Sequence, residues 1–192
     1  MARPKEFDRE EALEAAIQIF ADHGYEGSST DALLEAMGIG RQSLYDTFGD
    51  KRHLYLEALQ HYSAHNVASL IRTMSESASP LAGLEAGLLW FADEAARTAN
   101  VGCLGISAVC EFGRSDQTVN AVTDAMARTQ RAALERLIGE AQARGEVAAT
   151  VDVRVAAQFI TVTLAGVRVS ARGGTPAATL RALARMAIRS LR

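Results

Sequence analysis

Several side chains that can hydrogen-bond to nucleic acid lie between Ser29 and Lys51. An arginine can donate two hydrogen bonds to guanine O6 and N7, and a glutamine can pair in a similar way with adenine. Hydroxyl groups, and a lysine at the start of a helix, can hold phosphate oxygens. We therefore predict DNA contacts from Ser29, Thr30, Arg41, Gln42, Ser43, Tyr45, Thr47 and Lys51.

Two short helices are needed to position these groups. Ser29 is a suitable N-cap for the first helix, and Gly38 ends it at a turn where a side chain would be strained. The second helix covers residues 41–48, and Leu44 and Phe48 lie one turn apart on its inner face. We expect the rest of the core beneath it to come from Ile17, Phe20, Leu33 and Leu34. Two helices of this length joined by a glycine-containing turn are typical of a helix-turn-helix.

Two motifs give this segment a resemblance to a known family. The first is Ala-x-x-x-Phe-x-x-x-Gly-Tyr at 16–25, and the second is Gly-Ile-Gly-Arg-Gln-Ser-Leu-Tyr-Asp-Thr-Phe-Gly-Asp-Lys at 38–51. Together they resemble the DNA-binding domain of TetR-family regulators, with a further likeness at Gly102-Cys103-Leu104. The resemblance implies an all-α protein with a three-helix helix-turn-helix DNA-binding domain at 1–52 and a helical ligand-binding and dimerisation domain at 53–192.

The segment departs from the family pattern at several positions. Gly40 stands where relatives usually carry a serine or similar cap, and Gln42 replaces a frequent small residue. Asp31 occupies a position that is often basic, while Asp46 and Thr47 replace common histidines. These changes are expected to reduce the number of phosphate contacts, and they leave the operator sequence open.

The charge balance of the chain is acidic, with a formal net charge of -3. The bases of the N-terminal segment are, however, grouped on the terminal arm and around the second short helix: Arg3, Lys5, Arg41, Lys51 and Arg52. Acids such as Glu11, Glu14 and Glu57 are expected on other helix faces. Because the local field rather than the net charge governs DNA binding, we expect specific binding that weakens steeply with salt.

The remaining sequence predicts helices only. Hydrophobic residues make up 48% of the chain and aromatic residues 6%, a composition that favours helix over sheet. Helical periodicity and capping residues predict about nine helices, including one from Asp8 to His23 and a long one from 51 to 75. A short apolar helix at 103–112 is expected to be buried.

The resemblance also implies a small-molecule pocket in the helical domain. An apolar site with a few polar groups is the usual form of such a pocket. Candidate lining residues are Tyr62, Trp90, Cys103, Glu111, Phe112, Met126 and Phe159, for which simple core packing is the alternative. No metal-ligand cluster or cofactor motif is visible in the sequence, so we expect neither a metal nor a cofactor.

The last two helices carry apolar faces that are wide enough for a second copy of the chain. We predict a homodimer interface from Thr163, Gly166, Val167, Leu180, Leu183, Ala184, Ala187 and Leu191. The alternative is that these residues cover only the chain's own core. A dimer is expected because a helix-turn-helix reader usually binds two half-sites of double-stranded operator DNA.

These features predict a cytoplasmic repressor that an unknown small molecule releases from DNA. No catalytic motif is visible, and no apolar run is long enough to indicate a membrane protein.

Cys103 and Cys110, about 10 Å apart if helical, are expected to be reduced core residues. A thiol-reactive redox or electrophile-sensing regulator of the same family is one alternative. A helical interaction module that has lost DNA binding is another.

Overall fold

The computed structural model describes residues 7–100 and 102–192. Within these ranges the chain forms nine α-helices and no strand, which confirms the all-α prediction. The helices are α1 Arg9–His23, α2 Thr30–Met37, α3 Arg41–Phe48, α4 Lys51–Ser75, α5 Pro80–Arg97, α6 Leu104–Phe112, α7 Gln117–Ala143, α8 Val153–Arg172 and α9 Ala177–Arg189. The predicted basic residues Arg3 and Lys5 lie outside the described residues.

Polar side chains at the helix starts explain where the helices begin. The Asp8 carboxylate accepts hydrogen bonds from the amides of Glu10 and Glu11 at the start of α1. Ser29 and Asp152 cap α2 and α8 in the same manner, and for Ser29 this confirms the predicted N-cap. These caps satisfy backbone donors that would otherwise have no partner in the helix.

The chain divides into two compact units. Among the described residues, the first comprises 7–64 and 102–124, and the second comprises 65–100 and 125–192. α4 and α7 contribute residues to both units. The first unit therefore contains α6 as well as the predicted DNA-binding segment. The predicted domain boundary between residues 52 and 53, which concerns function, stays a prediction.

The core of the first unit is built around the helix-turn-helix. Phe20, Leu33 and Leu44 are fully buried there, and Phe48 is 5% exposed. α6 adds Leu104 and Ala108 to the same core. The predicted core residue Ile17 is also buried, whereas Leu34 is only partly buried against the cluster. The sequence pattern thus identified the centre of this core.

The core of the second unit is formed by α5, α8 and α9 together with parts of α4 and α7. Leu84, Leu88 and Ile160 are buried at its centre, and Leu134 joins them from α7. Trp90 and Phe91 are partly buried and pack against it. This unit therefore has an apolar interior of its own.

The expected burial of the 103–112 helix is wrong in part. Leu104 and Ala108 are buried, but Val109 is 58% exposed and Cys110 is exposed. Because α6 packs along one face only, the apolar side chains of its other face remain at the surface. Apolar composition alone did not reveal which face packs.

One helix in the described residues has the length and composition to cross a membrane. The most apolar 18-residue stretch of α8 has a mean hydropathy of 1.2, and 28% of that stretch is buried within the chain. Length and composition alone carry little weight here, because core helices of other proteins meet the same criteria.

Candidate nucleic-acid interface

The geometry of α2 and α3 matches the predicted helix-turn-helix. Gly38 ends α2 in the left-handed region at φ 64°, and its amide donates to carbonyl oxygens of the last turn of α2. A residue with a side chain would be strained in this conformation. Gly40 begins α3 without a side-chain cap, so the amides at the start of α3 are not occupied by a capping side chain. Such amides favour an anion.

Two side chains hold the inner face of α3. Leu44 is 1% exposed and Phe48 is 5% exposed, as the one-turn spacing predicts. The Arg9 guanidinium lies 4.9 Å from the centre of the Phe48 ring and pairs with Glu57 at 2.6 Å. α1 and α4 thus brace the C-terminal end of α3. This fixes the direction in which the outer face of α3 points.

The two side chains predicted to read bases are both held by neighbouring carboxylates. Arg41 Nη2 lies 2.6 Å from Asp31 Oδ1, which joins α3 to α2. Gln42 Nε2 donates to Asp46 Oδ1 at 2.8 Å, one turn along α3. Arg41 and Asp31 are 57% and 83% exposed, so water still reaches the pair. The carboxylates that depart from the family pattern are therefore the partners of the candidate base readers.

The other predicted DNA contacts lie on or beside the same surface. Tyr45 is 50% exposed on α3, and Ser43 and Thr47 are partly buried on the same helix. Ser29 is exposed and accepts a hydrogen bond from the Ala32 amide, which leaves its hydroxyl hydrogen available. Thr30 is partly buried at the start of α2. The structure thus brings the set to the helix pair, while its contact with DNA stays a prediction.

Lys51 lies against an aromatic cluster. Its ammonium group is 4.4 Å from the centre of the Tyr25 ring, which is a cation–π contact. Tyr25 in turn packs on Tyr55 at 5.0 Å and on Phe112 at 5.8 Å. Burial, reinforced by the Glu111 carboxylate, raises the pKa of the Tyr55 phenol above its ordinary value. The cluster orients Lys51 at the start of α4, where a phosphate could be bound.

Glu111 has a structural role that the sequence did not reveal. Its carboxylate accepts hydrogen bonds from the Tyr25 amide at 2.8 Å and from the Glu26 amide at 2.7 Å. These amides belong to the loop between α1 and α2, so Glu111 ties the end of α6 to the helix-turn-helix. Its oxygens are engaged in this way, and a role of Glu111 in lining a pocket stays a prediction. A separation of about 85 residues left no signal in the sequence.

Arg52 and Asp116 form a second link within the first unit. Asp116 caps α7 by accepting from the Thr118 and Val119 amides, and its other oxygen binds the Arg52 guanidinium. The Val119 amide and the Arg52 guanidinium lower the pKa of the Asp116 carboxyl below its ordinary value. Asp116 therefore remains ionised in mildly acidic solution and keeps the start of α4 bound to the start of α7.

The remaining candidate pocket residues are divided between the two units. Tyr62, Cys103 and Phe112 belong to the first unit and are partly buried. Trp90 and Met126 belong to the second and are also partly buried, whereas Phe159 is 45% exposed on α8. A role of these side chains in binding a small molecule stays a prediction.

Five of the eight predicted dimer residues lie in the chain's own core: Val167, Leu180, Ala184, Ala187 and Leu191. Their burial favours the alternative that these five cover only that core, and a part for them in a dimer stays a prediction. Gly166 and Leu183 are exposed, and Thr163 is partly buried. The exposed face of α8 and α9 also carries large apolar side chains that the prediction omitted: Val155, Val162, Val169 and Met186.

Comparison with known proteins identifies the family. Residues 12–58 match the model of the bacterial regulatory proteins of the tetR family, and residues 80–186 match the tetracyclin repressor-like C-terminal domain. The chain belongs to the TetR family of transcriptional regulators. Members of this family are DNA-binding regulators rather than enzymes.

Relatives in the TetR family differ in how much of their length is matched. The transcriptional repressor ComR of Escherichia coli is 30% identical over 90% of this chain and 83% of that protein. The uncharacterised regulator YezE of Bacillus subtilis is 44% identical, but the match covers only 41% of each chain. A solved structure of a cysteine mutant of the TetR-family regulator CifR, complexed with 26-bp double-strand operator DNA, is 31% identical. It covers 99% of this chain and 100% of its own, with a TM-score of 0.78.

Proposed function

We propose that this TetR-family chain is a homodimeric repressor that binds operator DNA through α3 and is released by a small molecule. The observation that carries the proposal is the orientation of α3. Leu44 and Phe48 fix its back to the core, while Arg41, Gln42 and Tyr45 are exposed on the other side. Arginine and glutamine on a recognition helix match the hydrogen-bonding groups of purines in the major groove.

Dimerisation through α8 and α9 would place two such helices on successive half-sites. The exposed apolar side chains of α8 recur at positions 155, 159, 162 and 169, which lie on one face of a helix. Leu183 and Met186 extend an apolar surface on α9. In a two-fold dimer, the two copies of α3 would lie roughly 34–36 Å apart to fit one turn of DNA.

Release by a small molecule would be a shift between two populations. A ligand changes DNA affinity only by the difference in its affinity for the DNA-binding state and the other state. Glu111 supplies a physical link within the first unit, because it joins α6 to the loop before α2. Such a regulator would act in the cytoplasm, where the chromosome lies.

The test is a selection of duplex fragments from the source genome with the purified chain, followed by titration of the selected duplex. We expect a duplex that binds more tightly than random DNA of equal length. Replacing both Arg41 and Tyr45 with Ala removes a base reader and an exposed helix contact. We expect the preference for the selected duplex to fall on the order of 10- to 100-fold.

The matched control is Arg128→Ala, which removes one positive charge from the other compact unit. It should leave the preference unchanged. If no genomic duplex binds better than random DNA at low salt, the proposal fails. The alternative of an interaction module that has lost DNA binding would then be favoured. An unchanged preference in the α3 double variant would also refute α3 as the reading helix.

A second candidate function, a thiol-reactive regulator of the same family, is favoured by one observation. Cys110 is exposed, contrary to the expected burial, and Cys103 is partly buried. Only an accessible thiol can meet an oxidant or an electrophile. Under the main proposal, the variant with both cysteines changed to Ser keeps its release from DNA by the small molecule. Loss of release in that variant, with intact DNA binding, would support the thiol switch instead.

A further inference from the structure

The second unit contains a buried arginine without an acidic partner among the described residues. Arg168 of α8 is only 9% exposed. Its Nη1 donates to the Thr98 hydroxyl at 2.9 Å, and its guanidinium carbon lies 4.8 Å from the centre of the Phe91 ring. Its Nε is buried and has no hydrogen-bond partner. A neutral hydroxyl and a ring face are thus the partners that the structure gives this cation.

The two carboxylates nearest the end of α5 in sequence are engaged by other arginines. Glu94 accepts two hydrogen bonds from Arg97, at 3.0 and 2.6 Å. Asp93 binds Arg181 at 2.5 Å. Both carboxylates lie in the C-terminal half of α5, where Thr98 follows. Among the described residues, neither carboxylate is a hydrogen-bond or ion-pair partner of Arg168.

A second arginine of α8 binds near the same end of α5. Arg172, one turn after Arg168 on α8, donates to the carbonyl oxygen of Asn100. Thr98 donates its own proton to the Glu94 carbonyl, so its oxygen lone pairs face Arg168.

We propose that Arg168 is the anchor for the carboxylate of an apolar carboxylic acid, which binds in the second unit as the effector. A buried arginine keeps its charge, and burial without a paired anion is costly. A carboxylate can accept two parallel hydrogen bonds from a guanidinium, and one of them would go to the orphaned Nε. The proposal rests on the proposed function, since it names the class of molecule that would release the DNA.

The body of the ligand is apolar because the ring that the Arg168 guanidinium faces, that of Phe91, is apolar and only partly buried. Ala95 precedes Thr98 by one turn on α5 and is fully buried, and Leu164 precedes Arg168 by one turn on α8 and is 3% exposed. Phe91 lies one turn further back on α5. A polar body would lose its water there without gaining hydrogen bonds, so short fatty acids and aromatic acids fit this environment better than sugar acids.

The test measures binding of octanoate and phenylacetate to the full-length chain by calorimetry and by the shift in melting temperature. The matched ligands are octanamide and phenylacetamide, which have the same size and no charge. We expect at least one acid to bind and raise the melting temperature, and its amide to have little effect. In Arg168→Met we expect the affinity for the acid to fall on the order of 10- to 100-fold.

The control variant is Arg154→Met, the same substitution at an exposed position of α8. It should bind the acid like the natural chain. Arg168→Met should melt no lower than the natural chain without ligand, because an apolar side chain of similar length replaces an unpaired buried charge. A purely structural arginine would instead lower the melting temperature without affecting the distinction between acid and amide. Arg168→Lys, which keeps the charge but loses the paired geometry, should weaken binding less.

Two results would overturn the proposal. One is that neither acid binds better than its amide, and the other is that Arg168→Met binds the acid as tightly as the natural chain. Binding of the selected duplex is measured in parallel without any acid. If the acids bind through Arg168 but the chain does not bind DNA, the proposed function fails and the site stands. If DNA binds and the acids do not, the site alone fails.

Discussion

At the scale of single residues, the surface of α2 and α3 carries two acids beside the predicted base readers. Asp31 holds Arg41 at 2.6 Å, and Asp46 holds Gln42 at 2.8 Å. A carboxylate beside an arginine restricts its rotamers, which favours one geometry for a paired contact with guanine. The same carboxylate would repel a phosphate backbone bound beside it. Specificity and affinity for DNA would thus be opposed at this position.

Asp31→Asn is predicted to raise affinity for random duplex and to reduce the preference for the selected duplex. Both changes should be about fivefold or less, because an exposed ion pair contributes at most about 1 kcal/mol. Titration of the two duplexes at two salt concentrations measures both effects. Glu35→Gln removes the same charge from another exposed position of α2 and should preserve the preference. A preference that rises in Asp31→Asn would contradict the orienting role.

At the scale of elements, the position of α6 depends on a close approach to α1. A Cβ added at Gly102 would overlap the carbonyl oxygen of Ala21, near the end of α1. Glu111, at the other end of α6, binds the amides of the loop that follows α1. The helix is therefore held at both ends against the helix-turn-helix. Gly102 belongs to the Gly102-Cys103-Leu104 segment that resembles the family. The close packing against α1 explains why a residue without a side chain stands there.

Gly102→Ala is predicted to lower the free energy of unfolding by about 1–3 kcal/mol, because backbone must move to relieve the overlap. Gly105→Ala is the matched control within α6, where an added Cβ has no atom within 4 Å. It should raise stability by up to about 1 kcal/mol, since alanine is the better helix former. Urea unfolding of the two variants measures the difference. Equal stabilities would show that α6 does not pack as closely as described.

At the scale of the whole molecule, assembly is predicted to involve the apolar surface on α8 and α9. Phe159 is 45% exposed and Val162 is 59% exposed on the chain alone. Exposed large apolar side chains on one face indicate a contact surface. A stable dimer would bury about 800 Å² on each partner. The same contact would remove from water the helix face that otherwise has the composition of a membrane span.

Phe159→Glu is predicted to convert the chain from dimer to monomer and to weaken binding of the selected duplex. A charge buried at the centre of an apolar contact has no partner to offset its loss of water. Light scattering after gel filtration should change from about twice the chain mass of 20.5 kDa to that mass. Arg154→Gln changes the net charge equally at an exposed position of α8 and should leave the dimer intact. A natural chain that is already monomeric would refute this interface.

The sequence by itself determined the helices, the helix-turn-helix and its anchors. Capping residues such as Ser29 and Asp152, the turn glycine Gly38 and the one-turn spacing of Leu44 and Phe48 are local signals. Each depends on neighbours a few residues away, so its physical consequence is readable from a short segment.

Only the tertiary structure decided which side of an apolar helix faces the core. It placed Val167 and Leu180 in the chain's own core and left Val162 and Met186 at the surface, and it brought Glu111 to the Tyr25 amide. It also buried Arg168 beside Phe91. Such relations depend on segments tens of residues apart, whose packing geometry has no periodic signature in the sequence.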